Sequence, residues 1–190
     1  SSVYTVSTTC MAFSAALHGM KERKSTTGKW KSVLRSNLRT AAKRLIASQN
    51  SGGAWSYRTI SPETTADPRY QKSLNGAYDY SNTQFALLGL ASARGAGISV
   101  PDRTWKRILA HLRENRNRDG GWGYRGNSGT RESMTSAGVG GMILARQAIE
   151  PEIKGKDLRE DRDIAAGLGW MTQRYHMSGP NRSNKARMPR

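Results

Sequence analysis

Cysteine occurs once in this 190-residue chain, as Cys10. One cysteine permits neither an internal disulfide nor a thiolate metal cluster. Lying on an apolar face, it reads as core. Histidine is nearly as scarce. His18, His111 and His176 are scattered, and no two have the spacing of ligands on one helix. No metal or other cofactor is therefore expected. Only 36% of the residues are hydrophobic and the mean hydropathy is −0.71, so the core is lean. No run approaches the roughly 20 apolar residues that cross a bilayer. The Val3–Leu17 stretch is broken by Thr and Ser and has no cationic flank before it, so it does not read as a signal peptide. The first residue is Ser, and Val3 already lies in an apolar run, so the chain reads as part of something longer or as a processed product. A cytoplasmic or peripheral-membrane location is the expectation.

Acids are also few: 14, against 31 Lys and Arg, for a net charge of +17. Residues 1–60 hold ten Lys/Arg and one acid, Glu22, and the last stretch, Arg174 to Arg190, holds five and no acid. A field of this sign favours anionic partners such as nucleic acid, a phospholipid surface or pyrophosphate. The plainer reading is a solvated basic surface.

Helical periodicity dominates what is present, and no stretch sustains the period-two alternation of a strand. Val3–Gly19 is apolar on more than one face and predicts a buried helix. Lys21–Gly28 reads as a connector. Trp30–Ser48 predicts an amphipathic helix with the stripe Leu34, Leu38, Ala41, Ala42, Leu45 and Ile46. Lys31, Arg35, Arg39 and Lys43 form a second stripe at i, i+4 spacing, either a solvent face or a contact for an anionic membrane surface. Thr59–Ala77 reads as a long polar loop. Asp79–Arg94 predicts a buried helix capped by Asp79, Ser81 or Asn82 and ended by Gly95-Ala96-Gly97. Pro101 opens the next helix. That helix carries Trp105, Ile108, Leu109 and Leu112 inside, with Arg103, Lys106, Arg107 and Arg113 outside. Ser133–Ala148 predicts a small-residue apolar helix, Ile149–Arg159 a charged connector and Asp161–Tyr175 a last amphipathic helix. The basic segment 176–190 is expected to be disordered.

One stretch is written twice. Asn50-Ser51-Gly52-Gly53-Ala54-Trp55-Ser56-Tyr57-Arg58 aligns without a gap on Asn117-Arg118-Asp119-Gly120-Gly121-Trp122-Gly123-Tyr124-Arg125, at an offset of 67 residues. The apolar helices align at a second offset, 52 residues, through Thr83/Thr135, Gly89/Gly141, Ala93/Ala145 and Arg94/Arg146. A turn carrying Trp and Tyr at fixed spacing implies a duplicated unit. Buried helix, amphipathic helix and tight turn, repeated about three times, predict an all-α solenoid or a closed double ring.

At these residues the chain resembles the squalene–hopene and oxidosqualene cyclases. Gln49-Asn-Ser-Gly-Gly-Ala-Trp55 is similar to their Gln–Trp repeat, and Asp119-Gly120-Gly121-Trp122-Gly-Tyr to its Asp-Gly-Gly-Trp-Gly form. The resemblance implies the α/α toroid of terpenoid cyclases and protein prenyltransferases over residues 1–175, here a partial ring of about three helix pairs. In such a repeat the Gln ties the outer helix to the next segment, and the Trp stacks nearby. Arg116 stands where the second Gln is expected.

The resemblance also implies where an acid would sit. Squalene–hopene cyclases protonate an alkene from an Asp-x-Asp-Asp-Thr motif, which aligns here on Asp79-Tyr80-Ser81-Asn82-Thr83. The first Asp and the Thr remain. The protonating Asp falls on Ser81 and its neighbour on Asn82, and neither a hydroxyl nor an amide can protonate an isolated double bond. Asp79 is the residual acid candidate, although a helix cap is the simpler role. The prenyltransferase branch uses zinc held by Asp, Cys and His, and Cys10 has no such company. Trp55, Tyr57, Trp122 and Tyr124 are the candidate cavity residues, offering π-faces to a carbocation or serving as packing staples. The leading expectation is thus a non-catalytic cyclase-like segment. It would bind an apolar isoprenoid or act as a scaffold beside the remaining helix pairs of a larger protein. An isoprenoid cyclase or prenyltransferase with its acid elsewhere is the alternative. A nucleic-acid binder ranks last, because the basic helices carry no aromatic platform.

Overall fold

The computed structural model describes residues 1–22, 28–64, 67–75, 78–126 and 128–174. Segment 176–190, expected to be disordered, and most of the connector before Gly28 lie outside the described residues. The described chain is helical: α1 (Val3–Glu22), α2 (Gly28–Ala47), a 3-10 turn (Pro62–Thr64), α3 (Pro68–Leu74), α4 (Tyr80–Gly95), α5 (Asp102–Glu114), α6 (Glu132–Ile149), α7 (Gly155–Glu160) and α8 (Arg162–Arg174). Among the described residues there is no strand, only isolated bridges between Ser2 and Arg58 and between Gly123 and Thr130. None of these helices is long and apolar enough to cross a membrane.

The helices stand in two rows. In the first, α1 packs on α4 and α4 on α6. In the second, α2 lies against α1 and α4, while α5 and α8 lie against α6. The stripe read from α2 faces inward, with Leu38, Ala42 and Leu45 buried. So does that of α5, whose Trp105, Ile108, Leu109 and Leu112 are buried and whose Arg103, Lys106, Arg107 and Arg113 are exposed.

Small residues set the spacing of the first row. At Gly89 of α4, a methyl group would lie 2.9 Å from the Ser7 Cα of α1. The C-terminus of α4 closes as a Schellman motif. Gly97 has φ of 85°, its N–H donates to Arg94 O at 2.9 Å, and the Ile98 N–H donates to Ala93 O at 3.0 Å. Two otherwise orphan carbonyls are thereby satisfied.

Three expectations need correction. α1 is buried along one face only. Val3, Val6, Ser7, Cys10 and Leu17 are covered, whereas Ala12, Ala15 and Ala16 are exposed, because among the described helices α2 and α4 are the main ones packed on it. The stretch read as a long loop, 59–77, contains the 3-10 turn and α3. The Asp67 side chain caps α3 by accepting the Arg69 N–H at 2.9 Å, and Leu74 anchors it in the interior. The connector after α6 contains α7, which buries Leu158. In both places the periodic apolar signal is too short to stand out from polar surroundings.

Candidate functional site

The two Gly-rich turns form the same corner. In the first, the Asn50 N–H donates to Ala54 O at 2.9 Å and the Gly53 N–H to Asn50 O at 3.1 Å. In the second, Asn117 donates to Gly121 O at 2.8 Å and Gly120 to Asn117 O at 3.0 Å. Gly53 and Gly120 have φ of 88° and 99°, a region in which a side chain is strained. At Gly53 a methyl group would also fall on the Arg107 carbonyl of α5, and at Gly120 it would crowd the Ala166 carbonyl of α8. Each corner therefore abuts the next helix of the second row.

The tryptophans bind alike. Trp55 Nε1 donates to Leu45 O at 2.7 Å and Trp122 Nε1 to Leu112 O at 2.8 Å. Their backbone N–H groups donate to Thr83 Oγ1 at 3.3 Å and Thr135 Oγ1 at 3.2 Å. Those threonines in turn donate to Asp79 O and Arg131 O, one helical turn back. Both indoles are fully buried.

The ties to neighbouring helices differ in chemistry. Gln49 Nε2 donates to Gly53 O and to Thr104 O of α5, both at 3.1 Å. At the position matching Gln49, Arg116 Nε donates to Asp163 Oδ1 of α8 at 3.0 Å. Asp119 has no counterpart in the first corner. It accepts from Gly121 N, Thr130 Oγ1 and Trp170 Nε1. Burial opposes its charge. The bonds from Thr130, Gly121 and Trp170, with Arg174 nearby, outweigh that and hold the carboxyl below the usual carboxylate range.

The four aromatic candidates thus separate into two kinds. Trp55 and Trp122 are enclosed, whereas Tyr57 is 54% exposed and Tyr124 half-buried. The tyrosines meet at the N-terminal end of α4. The Val3 N–H donates to Tyr57 O at 2.8 Å and the Tyr80 N–H to Tyr124 O at 3.0 Å, so the backbone at each tyrosine is anchored to the start of α1 or α4. The neighbouring Tyr57 hydroxyl, then burial, push the Tyr124 phenol well above its ordinary pKa. Two further rings complete the wall. Tyr4 lies 6.1 Å from Tyr57 between centroids and meets Phe85 edge-on at 4.7 Å. The Tyr4 hydroxyl shares a 2.6 Å hydrogen bond with Ser81 Oγ. Tyr4 and Phe85 lie outside the repeated turns. Phe85 stands one helical turn after Ser81, a usable signal, but nothing local marks Tyr4, which α1 brings in from the chain start. A groove of about 1030 Å³ opens beside Tyr57, bounded by Tyr70 and Leu74 of α3.

At the acid motif, Asp79 is buried and caps α4. Its Oδ1 accepts the Asn82 N–H at 2.8 Å and its Oδ2 the Asn82 Nδ2 at 2.9 Å. Among the described residues, no three His, Cys, Asp or Glu side chains gather closely enough to hold a metal ion. Cys10 is buried in α1, and burial pushes its thiol up to about 12. No protein-family model, curated protein or solved structure matches the chain.

Proposed function

We propose that this chain is a non-catalytic segment of a squalene-cyclase-like α/α ring, and that it binds an apolar, isoprenoid-type chain along the aromatic wall of Tyr4, Tyr57, Phe85 and Tyr124. The observation that carries the reading is the chemistry at the N-terminus of α4. Both Asp79 oxygens accept bonds from Asn82, and the hydroxyl at the protonating position, Ser81, is paired with Tyr4. Alkene protonation demands an acid held neutral and aimed at the double bond. A helix cap faces its own backbone instead.

The matched bonds of Trp55 and Trp122 support the ring part of the reading. Each corner links one second-row helix to the next, and a succession of such corners builds a curved double row. The exposed side of α1 is then where a further helix pair of a larger protein sits. The wall supplies π-faces and one hydroxyl pair, suited to an apolar chain with a polar end.

The test is incubation of the protein with squalene and, separately, farnesyl diphosphate, followed by mass spectrometry and by tryptophan and tyrosine fluorescence titration. Saturable quenching without a cyclised product is expected. A cyclised or transferred product overturns the non-catalytic reading and assigns the chain to the isoprenoid enzymes.

A further inference from the structure

We propose that the groove between α2 and α5 is a binding site for a phosphate-bearing anion of two or more charges. The groove holds about 630 Å³ and is lined by Lys43 of α2 and by Arg103 and Arg107 of α5, within the range of small-ligand clefts. All three cations are exposed. Arg103 and Arg107 stand one turn apart on one helix face, so their guanidinium groups repel each other unless an anion lies between them.

Three other arginines of this protein are differently placed. Arg113, Arg116 and Arg146 lie against Asp161 or Asp163. Lys43, Arg103 and Arg107 make no ion pair among the described residues. The nearest elements carry three acids, Asp102 and Glu114 at the two ends of α5 and Glu63 in the 3-10 turn, all exposed and none paired with these cations.

Two polar side chains of the groove are already engaged. The Gln49 amide donates to Gly53 O and Thr104 O, and the Ser51 hydroxyl pairs with Asn75 Oδ1 at 3.0 Å. Recognition therefore falls on the three cations. Two planar forks and one ammonium suit phosphate oxygens, which guanidinium groups bind in bidentate fashion. The approach to α5 (Ser99 and Pro101) and its first turn (Thr104) line the same groove. That end has no side-chain cap, so its free N–H groups add to the positive field, against the Asp102 carboxylate of the same turn. A diphosphate or a phosphomonoester lipid headgroup shares this chemistry.

Calorimetric titration with inorganic pyrophosphate tests the site, on the wild type, on Arg103→Gln/Arg107→Gln and on Arg118→Gln/Arg162→Gln, which removes the same charge elsewhere. One saturable site is expected in the wild type and in the Arg118/Arg162 variant. The Arg103/Arg107 variant should bind about tenfold more weakly or worse. Thermal melts of both variants establish that they fold. Sedimentation with phosphatidic acid vesicles, against phosphatidylcholine vesicles, separates the sources. Binding to phosphatidic acid that pyrophosphate displaces supports the site with a lipid headgroup in it. Pyrophosphate binding without sedimentation supports it with a soluble ligand. Equal weakening in both double variants, or no saturable binding by either probe, overturns the proposal.

Discussion

The indole nitrogen of Trp122 donates to the carbonyl oxygen of Leu112, 2.8 Å away in the last turn of α5. That carbonyl is one of the four that a helix C-terminus leaves without an intrahelical partner. Trp55 donates to Leu45 O of α2 in the same way at 2.7 Å, and that carbonyl also accepts the Ser48 N–H at 3.1 Å. Trp122→Phe removes the donor and leaves a buried carbonyl unpaired, whereas Trp55→Phe leaves Leu45 O with the Ser48 N–H alone. Trp122→Phe should lower unfolding free energy by about 1–3 kcal/mol in urea titrations, and Trp55→Phe by less. A neutral change at Trp122 contradicts the bond by which its indole satisfies the end of α5.

Gly138 of α6 lies under the Trp122 ring, where an added methyl group would fall on the indole carbons. Gly140, two residues on, has open space at that position. Gly138→Ala should be destabilised by about 1–3 kcal/mol through overpacking, only partly offset by helix propensity. Gly140→Ala should gain up to about 1 kcal/mol. Thermal melts of the two variants read the contrast directly.

Asp79 is assigned a structural role at the start of α4. Asp79→Ala removes both bonds to Asn82 and should cost about 1–2 kcal/mol. Asp79→Asn, which keeps one acceptor for the Asn82 backbone, should cost less. Urea titration orders the three proteins, and equal stability of Asp79→Ala and wild type contradicts the cap.

Burial raises the Cys10 thiol from 9.0 to about 12. The folded chain therefore keeps a proton that the unfolded chain loses. This contribution to stability is whole below pH 9 and is lost as the pH rises toward 12. At pH 8 iodoacetamide should leave the native protein unmodified and alkylate it quickly in urea, as followed by intact mass. Rapid native alkylation contradicts the burial.

Several elements were legible in the sequence for physical reasons that the packing keeps. The stripe of α5 faces α6 and that of α2 faces α1 and α4 together, so period and burial agree. The Gly-Gly-Trp turns were visible because glycine is needed at Gly53 and Gly120 for conformation and for the approach of α5 and α8. The faces of α1 were not legible. Apolar residues on several sides say that burial is possible, not which side is met, and Ala12, Ala15 and Ala16 are left exposed. α3 and α7 escaped because one buried leucine apiece, Leu74 and Leu158, makes no period, although Asp67 followed by Pro68 is a helix-start signal. At the candidate site, Tyr57 and Tyr124 were legible from the repeated turn. Tyr4 and Phe85 meet them only through the packing of α1 on α4. The Arg116–Asp163 contact joins residues whose partnership no local pattern records.

The central claim is that Trp55 and Trp122 are two copies of one corner, each locking the end of a helix. Hydrogen–deuterium exchange at the five indole N–H groups, resolved by NMR and assigned by Trp→Phe substitution, tests it most directly. The account predicts that the Trp55 and Trp122 indoles exchange slowly and with comparable protection, while Trp30, 61% exposed, exchanges at once. Either corner indole exchanging as fast as Trp30 would contradict it.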